Sequence, residues 1–319
     1  MDWGSILGIA LFRSGLAFAM PTALAAVGET VGERAGVLNL GLEGMMLSGA
    51  LAGFLGDYWT GSVVVGVLAA VGCGIALAAI TATLSVVLKT EQVINGIALV
   101  IFAQGMSQFV YEQLFGQGSH APVVQPLPDI RIPGLGSIPG LGPILFNQNA
   151  LFYLSLVLSL SVWLLVYRTR FGLTLRAVGE APAAADAAGL HVDRVRWMAL
   201  LVCGAMAGLG GMVLSVGDLS LFTADVTAGR GWVAIALVIF GRWNPLFVLG
   251  GALLFGLTDA LQIQIQATSG GINSSIPYEA FQALPYLLTI VVMVIVTIRS
   301  RRDAQPAALG VPFLKEVQD

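Results

Sequence analysis

The chain has 319 residues, of which 57% are hydrophobic and only 10% charged, against about 25% charged in soluble proteins; its mean hydropathy is +0.87. These values describe an integral membrane protein in contact with lipid. A net charge of −3 excludes the basic footprint of a nucleic-acid binder, and Cys73 and Cys203, in separate apolar stretches, read as small buried hydrophobes and not as a disulfide or metal site.

About 20 apolar residues are needed to cross the hydrocarbon core. In chain order, stretches at 5–27, 36–55, 62–88, 93–115, 149–167, 196–216, 225–241, 245–266 and 282–298 predict an all-α polytopic bundle of about nine (8–10) transmembrane helices. The first, "MDWGSILGIALFRSGLAFAM", has no basic segment before its apolar run and no small-residue cleavage pattern, so it is expected to be retained as a helix.

The second contains "GERAGVLNLGLEGMM", residues 32–46, which places two glutamates, an arginine and an asparagine among lipid-like residues. Glu33 and Arg34 fit either an interfacial helix entrance in headgroup water, with Asn39 capping a turn, or a structural ion pair. Asn39 and Glu43, four apart, would share one helical face, and a carboxylate inside a span is costly unless it faces a polar cavity or a partner.

The fourth stretch opens with Gln92 and Asn95 and continues with Gln104 and Gln108. Asp259, Gln262 and Gln266 form a similar stripe in the eighth. Such stripes suit either hydrogen bonding to a polar uncharged solute or amide contacts between helices. Between the fourth and fifth stretches, residues 116–148 are too rich in Pro and Gly to continue a helix and form a solvent-facing loop.

Residues 168–195 form a second long loop, basic at both ends, in which the run "EAPAAADAAG" predicts a short helix. Pro182 suits its first turn and Gly189 its end. The run lacks large apolar anchors and basic residues of its own, which favours a knob that fits a groove on a partner protein over a membrane-surface helix.

The seventh stretch is the shortest. "WVAIALVIF", 232–240, rises only about 13 Å, so it either recruits "TADVTAG" before it or is a half-helix. Two Gly-interrupted regions, "TVGERAGVLNLGLEG" and "DVTAGRGWVAIALVIFGRW", therefore stand in opposite halves, the pattern that points to a transporter's substrate path. Glycine pairs at Gly49/Gly53 and Gly204/Gly208 predict close helix packing.

Alternating the spans gathers Arg34, Lys89, Arg168, Arg170, Arg176, Arg194, Arg196, Arg242, Arg299, Arg301, Arg302 and Lys315 on one side, leaving Arg131 and Arg230 opposite. By the positive-inside rule the crowded side is cytoplasmic. Residues 1–300 are thus one transmembrane domain, with 116–148 extracytoplasmic, 168–195 cytoplasmic, 301–319 a cytoplasmic tail, and the N-terminus outside. His120 and His191 are isolated in separate loops, and no hydrolase triad, zinc, Walker or dinucleotide motif stands out. No catalytic residue, metal, cofactor or nucleotide site is expected on this chain.

"GERAGVLNLGLEGMMLSGA" resembles the signature of permease subunits of ATP-binding-cassette importers, in the branch of sugar, branched-chain amino acid and nucleoside permeases. "RAVGEAPAAADAAGL", "GRGWVAIALVIFGRWNP" and "PYLLTIVVMVI" follow in the same order, so the resemblance covers roughly residues 12–298. It implies a bacterial plasma-membrane subunit, not an enzyme, that pairs with a second homologous permease, expected as a heterodimer, two ATPase subunits that use ATP, and an extracytoplasmic solute-binding protein. Solute would be imported by alternating access. "ERAGVLNLGLEG", in place of the "GGIDLSVG"-like stretch of sugar permeases, favours nucleosides over simple sugars. A secondary transporter, with Glu43 and Asp259 coupling to ions, is the alternative from another class.

The same resemblance assigns Gly179, Glu180, Pro182, Ala184, Ala185 and Gly189 to a coupling helix that docks the ATPase. It makes Glu33, Arg34, Gly36, Gly41, Gly44, Gly229 and Gly231 signature positions. Asn39, Glu43, Gln92, Asn95 and Trp232 are the candidates for the solute path.

Overall fold

The computed structural model of the chain describes residues 8–116, 122–268, 283, 286–287, 290–291, 294 and 305–314. Most of the ninth expected span, His120, Arg299, Arg301, Arg302 and Lys315 lie outside these residues. Among them the architecture is an all-helical bundle, and six helices are long and apolar enough to cross a membrane.

Helix α1 (Ile9–Arg34) has 26 residues, about 39 Å at 1.5 Å per residue. It outruns the 5–27 stretch because Glu29 and Glu33 find partners inside the protein, so its last two turns stay buried instead of ending in headgroups. The chain then leaves the helix over 35–41, and α2 (Leu42–Thr60) begins six residues later than the sequence suggests. α3 (Val63–Ala82) closes with a π-helical turn, Thr83–Val87, and α4 is Gln92–Phe115.

Residues 122–149 are more ordered than a Pro- and Gly-rich loop suggests. Strands β1 (Asp129–Arg131) and β2 (Asn147–Asn149) pair antiparallel, with Asp129 opposite Asn149, and flank a short helix α5 (Leu141–Leu145). Arg13 forms an ion pair with Asp129, and the Gln148 side chain donates to the Arg13 carbonyl at 3.1 Å, so this hairpin is fastened to the start of α1. Asn149 then caps α6 (Ala150–Arg168) by accepting from the Phe152 N–H at 2.9 Å, which satisfies one of the orphan donors of the helix start.

α7 (Arg170–Glu180) and α8 (Pro182–Ala187) follow, with Pro182 in the first turn and Gly189 at φ +84° just past the end. The short helix expected in the 168–195 loop is therefore present. α9 (Val192–Met212, continued as a π segment over Val213–Asp218) is buried along nearly all its length. Two shorter connections lead to α10 (Arg230–Phe240) and α11 (Pro245–Thr268). At 11 residues, or about 16 Å, α10 is the half-helix of the two readings, and 224–229 are turns.

α9 sits between α1, α2 and α3, and α11 lies along α1. Glycine makes this possible: a Cβ on Gly49 would strike the Gly208 backbone, and one on Gly74 would strike the Gly204 carbonyl. Backbones meet here without side chains between them, as lipid-embedded helices require when packing replaces the hydrophobic drive. The outward faces of α3, α4 and α6 expose Leu68, Ile94, Ile101, Phe109, Val157 and Leu164, an apolar belt suited to lipid.

Candidate functional site

The stretch that interrupts the first two helices is a non-helical backbone inside a hydrophobic bundle, and every N–H there must find an acceptor. The Gly36 and Val37 N–H groups bond to the Glu33 and Gly32 carbonyls, and polar side chains serve the next ones. The Leu38 N–H donates to Gln92 Oε1 at 2.8 Å, the Asn39 N–H to Glu29 Oε1 at 3.0 Å, and the Gly41 N–H to Asn39 Oδ1 at 3.1 Å. Asn39 is fully buried, and its Nδ2 meets Met45 Sδ at 3.5 Å and Cys203 Sγ at 3.4 Å. The Cys203 thiol donates to Glu29 Oε2 at 2.9 Å. Cys203 is thus part of a polar knot and not merely a small hydrophobe.

Asn39 and Glu43 do not share a helical face, because Asn39 precedes the helix that Glu43 begins. Glu43 lies in the first turn of α2, where its charge favours the helix N-terminus, and its carboxylate reaches across to the start of α10. It accepts from the Thr227 hydroxyl at 2.6 Å and from the N–H groups of Gly229 at 3.1 Å and Gly231 at 2.6 Å. One carboxylate therefore serves two helix starts. A Cβ on Gly231 would lie 2.5 Å from Glu43 Cα, so glycine is needed for this approach, and Gly229 adopts φ +80° as the residue before α10.

The other end of α10 is held by the other end of the same stretch. The Trp243 indole donates to Glu33, and Arg34 donates through Nε to the Trp243 carbonyl at 2.9 Å and through Nη2 to Tyr167 Oη at 3.4 Å. Glu33 is 1% exposed, which rules out the headgroup-water reading, and the described residues contain no ion pair between Glu33 and Arg34. The two Gly-interrupted regions meet: residues 33–43 grip α10 at both ends.

The remaining candidates divide. Gly41 lies against Leu99 and Gly44 against Ala103, leaving no room for a Cβ between α2 and α4. Asn95 Nδ2 donates to Ser85 Oγ at 3.0 Å and to Thr90 Oγ1 at 2.7 Å, tying the start of α4 to the end of α3. Gln104 and Gln108 are exposed on α4, with Gln108 donating to Glu112. Of the five path candidates, Trp232 lines a cavity beside the start of α10.

That cavity, about 740 Å³, opens between α10 and α11. Trp232, Phe255 and Tyr286 give it an aromatic wall, with Phe255 and Tyr286 edge to face at 6.0 Å between centroids. Arg230 and Asp259 form an ion pair at its rim, and Gln262 of the α11 stripe also faces it. Its size and its apolar wall with a few polar groups match those of a small-molecule site. The sequence puts Arg230 on the side opposite the basic cluster and Asp259 in the eighth-stretch stripe without pairing them, and their opposite charges were the available signal. Glu29, four residues before Glu33 and so on the same α1 face, was the overlooked member of the knot.

On the side of Arg34, Gly179 packs on the α1 end so closely that a Cβ would strike the Arg34 carbonyl. In α8 and its flanks Ala185 is buried, Pro182 half-buried, and Glu180, Ala184 and Gly189 exposed.

Residues 11–297 match the family described as branched-chain amino acid transport system / permease component. The chain is 38% identical over 319 residues to a protein of Haloferax volcanii provisionally named a glucose ABC transporter permease, covering 92% of this chain and 94% of that one. It is 34% identical over 324 residues to a guanosine ABC transporter permease protein of Bacillus subtilis, covering 99% of each. It is 31% identical to a nucleoside ABC transporter permease protein of Lactococcus lactis subsp. cremoris, over 94% of this chain and 95% of that one. No solved structure matches.

Proposed function

Since the chain belongs to the branched-chain amino acid transport system / permease component family, we propose that it forms half of the translocation path of an ATP-driven importer for nucleosides. The observation that carries the solute class is end-to-end similarity to the guanosine permease, together with a cavity whose aromatic wall suits a heterocyclic base and whose Arg230, Asp259 and Gln262 suit hydroxyl groups. A second homologous permease completes the path, ATP is bound and hydrolysed by partner ATPase subunits, and an extracytoplasmic binding protein delivers the solute.

In this reading Arg34, α7, α8 and the 305–314 tail face the cytoplasm, and the β1–β2 hairpin faces outward. α8 is the coupling helix: Ala185 roots it while Glu180 and Ala184 stand exposed for the ATPase groove. Asn39, Glu43 and Gln92 act on the path as its frame, holding the unwound backbone beside the cavity, while Trp232 touches solute. Sugars are the second reading, favoured by the Haloferax relative. Reconstituting this chain with its second permease and ATPase, then measuring ATP-dependent uptake of labelled guanosine against glucose, decides between them. Uptake of guanosine by this chain alone, down a proton gradient, would overturn the importer reading in favour of a secondary transporter.

A further inference from the structure

The 305–314 segment is laid across the junction of the helix break and the α7–α8 loop. The Ala308 N–H donates to the Gly179 carbonyl at 2.9 Å, and the Gly310 N–H donates to the Gly36 carbonyl at 3.2 Å. The Ala307 N–H approaches Glu180 Oε2 at 3.4 Å. Arg196, at the start of α9, binds both sides of this joint: its Nε donates to the Ala35 carbonyl at 3.2 Å and its Nη1 to the Val311 carbonyl at 2.9 Å. Gly36, at φ +88°, leaves no space for a side chain, since a Cβ would lie 2.9 Å from Arg196 Nη2 and 3.0 Å from the Ala308 carbonyl.

Arg196 is 2% exposed, and among the described residues its Nη2 has no hydrogen-bond partner. A buried guanidinium bound only to main-chain carbonyls is an expensive way to hold a surface tail, and a tail needed merely for solubility would not be threaded through it. The bonds instead make one rigid path from Glu180, next to α8, through Ala307–Val311 to Gly36 and Ala35. From there the extended stretch leads directly to Asn39, Glu43 and the α10 start.

We infer that Arg196 and the 305–314 segment are positioning elements that carry displacement of α8 into the 35–41 break. This rests on the reading of α8 as the ATPase-docking helix. Apart from the strap, Gly179 packs directly on Arg34 and Ala35, a contact that resists compression but not separation. With it, a pull on α8 is also transmitted.

The test uses the complete complex of this chain, its second permease and its ATPase, held with ADP and vanadate or without nucleotide, and followed by hydrogen exchange. In wild type, trapping is expected to change exchange in both 182–189 and 36–41, by at least threefold in rate. In Arg196→Lys, Gly310→Pro and a chain ending at Ala304, the 182–189 response should remain and the 36–41 response be lost. The truncation leaves every transmembrane residue in place, so it reads the strap if Arg196→Lys fails to assemble. A 36–41 response that persists at wild-type size in the truncated chain overturns the inference while leaving the coupling-helix reading intact. Absence of any response in wild-type 182–189 overturns both.

Discussion

Glu43 and Gly231, 188 positions apart, are joined by a 2.6 Å hydrogen bond from the glycine N–H to the glutamate carboxylate. A methyl group at 231 would meet Glu43 Cα, N and Oε2 at 2.5–2.6 Å. Two of those atoms are backbone or fixed by it, so neither side can yield. Gly231→Ala is expected to lower stability by about 1–3 kcal/mol, read as a lower unfolding temperature in detergent, with uptake falling in parallel. An unchanged unfolding temperature would show that α2 and α10 are not in contact as described.

Removing the carboxylate should be worse than crowding it. Glu43→Leu leaves the Thr227 hydroxyl and the Gly229 and Gly231 N–H groups without their acceptor, at about 1–3 kcal/mol for each buried orphan. Folded yield should drop severely, and Glu43→Gln, which keeps one oxygen acceptor, should recover part of it. Wild-type yield from Glu43→Leu would return Glu43 to the role of a solute ligand without a structural duty.

Much of the bundle is legible from the sequence because apolar run length is a strong signal, whereas the shortness of α10 leaves two readings open, a lengthened span or a half-helix, of which the structure has the second. The interior of 32–46 is not legible. Its residues mark a break, but the sequence cannot say that the acceptors for its N–H groups come from Glu29 on α1 and Gln92 on α4, because those pairings are made by helix packing. For the same reason the spacing of Asn39 and Glu43 suggests one helical face, whereas Asn39 lies within the unwound stretch and Glu43 in the first turn of α2. Trp232, a path candidate for its aromatic face, lines the cavity, but its companions Phe255 and Tyr286 come from another part of the chain and no local pattern joins them to it.

The cavity gives a direct solute test. Trp232→Ala should raise the KM for guanosine uptake by about 5- to 150-fold, the effect of losing about 1–3 kcal/mol of base stacking, while Trp232→Phe should stay within a few-fold of wild type. Uptake assays over a range of guanosine concentrations separate this from reduced assembly, which would lower the maximal rate instead. An unaltered KM in the alanine variant would remove Trp232 from the path.

At α8, Ala184→Trp should leave insertion and folding intact, since Ala184 is exposed, yet lower uptake per ATP hydrolysed. Glu180→Arg should do the same. Normal uptake per ATP in both variants, at normal expression, would show that this face does not meet the ATPase.

Two glycines two positions apart on α3, Gly72 and Gly74, should behave oppositely. A Cβ on Gly74 strikes the Gly204 carbonyl, whereas nothing lies within 4 Å of a Cβ on Gly72. Gly74→Ala is expected to cost about 1–3 kcal/mol, and Gly72→Ala to be neutral or to stabilise by up to about 1 kcal/mol through helix propensity. Thermal unfolding of both variants checks the α3–α9 crossing without reference to transport.

The grip of residues 33–43 on both ends of α10 also constrains how such a chain can diverge. Glu33 and Arg34 engage the Trp243 end while Glu43 engages the Gly231 end, so the extended stretch works as a gauge cut to the length of an 11-residue helix. A one-residue deletion in 35–41 shortens the gauge by up to about 3.5 Å, more than two helical residues' rise. Related chains should therefore hold these two lengths constant together or change them together, and an insertion tolerated in neither segment singly should be tolerated in both at once.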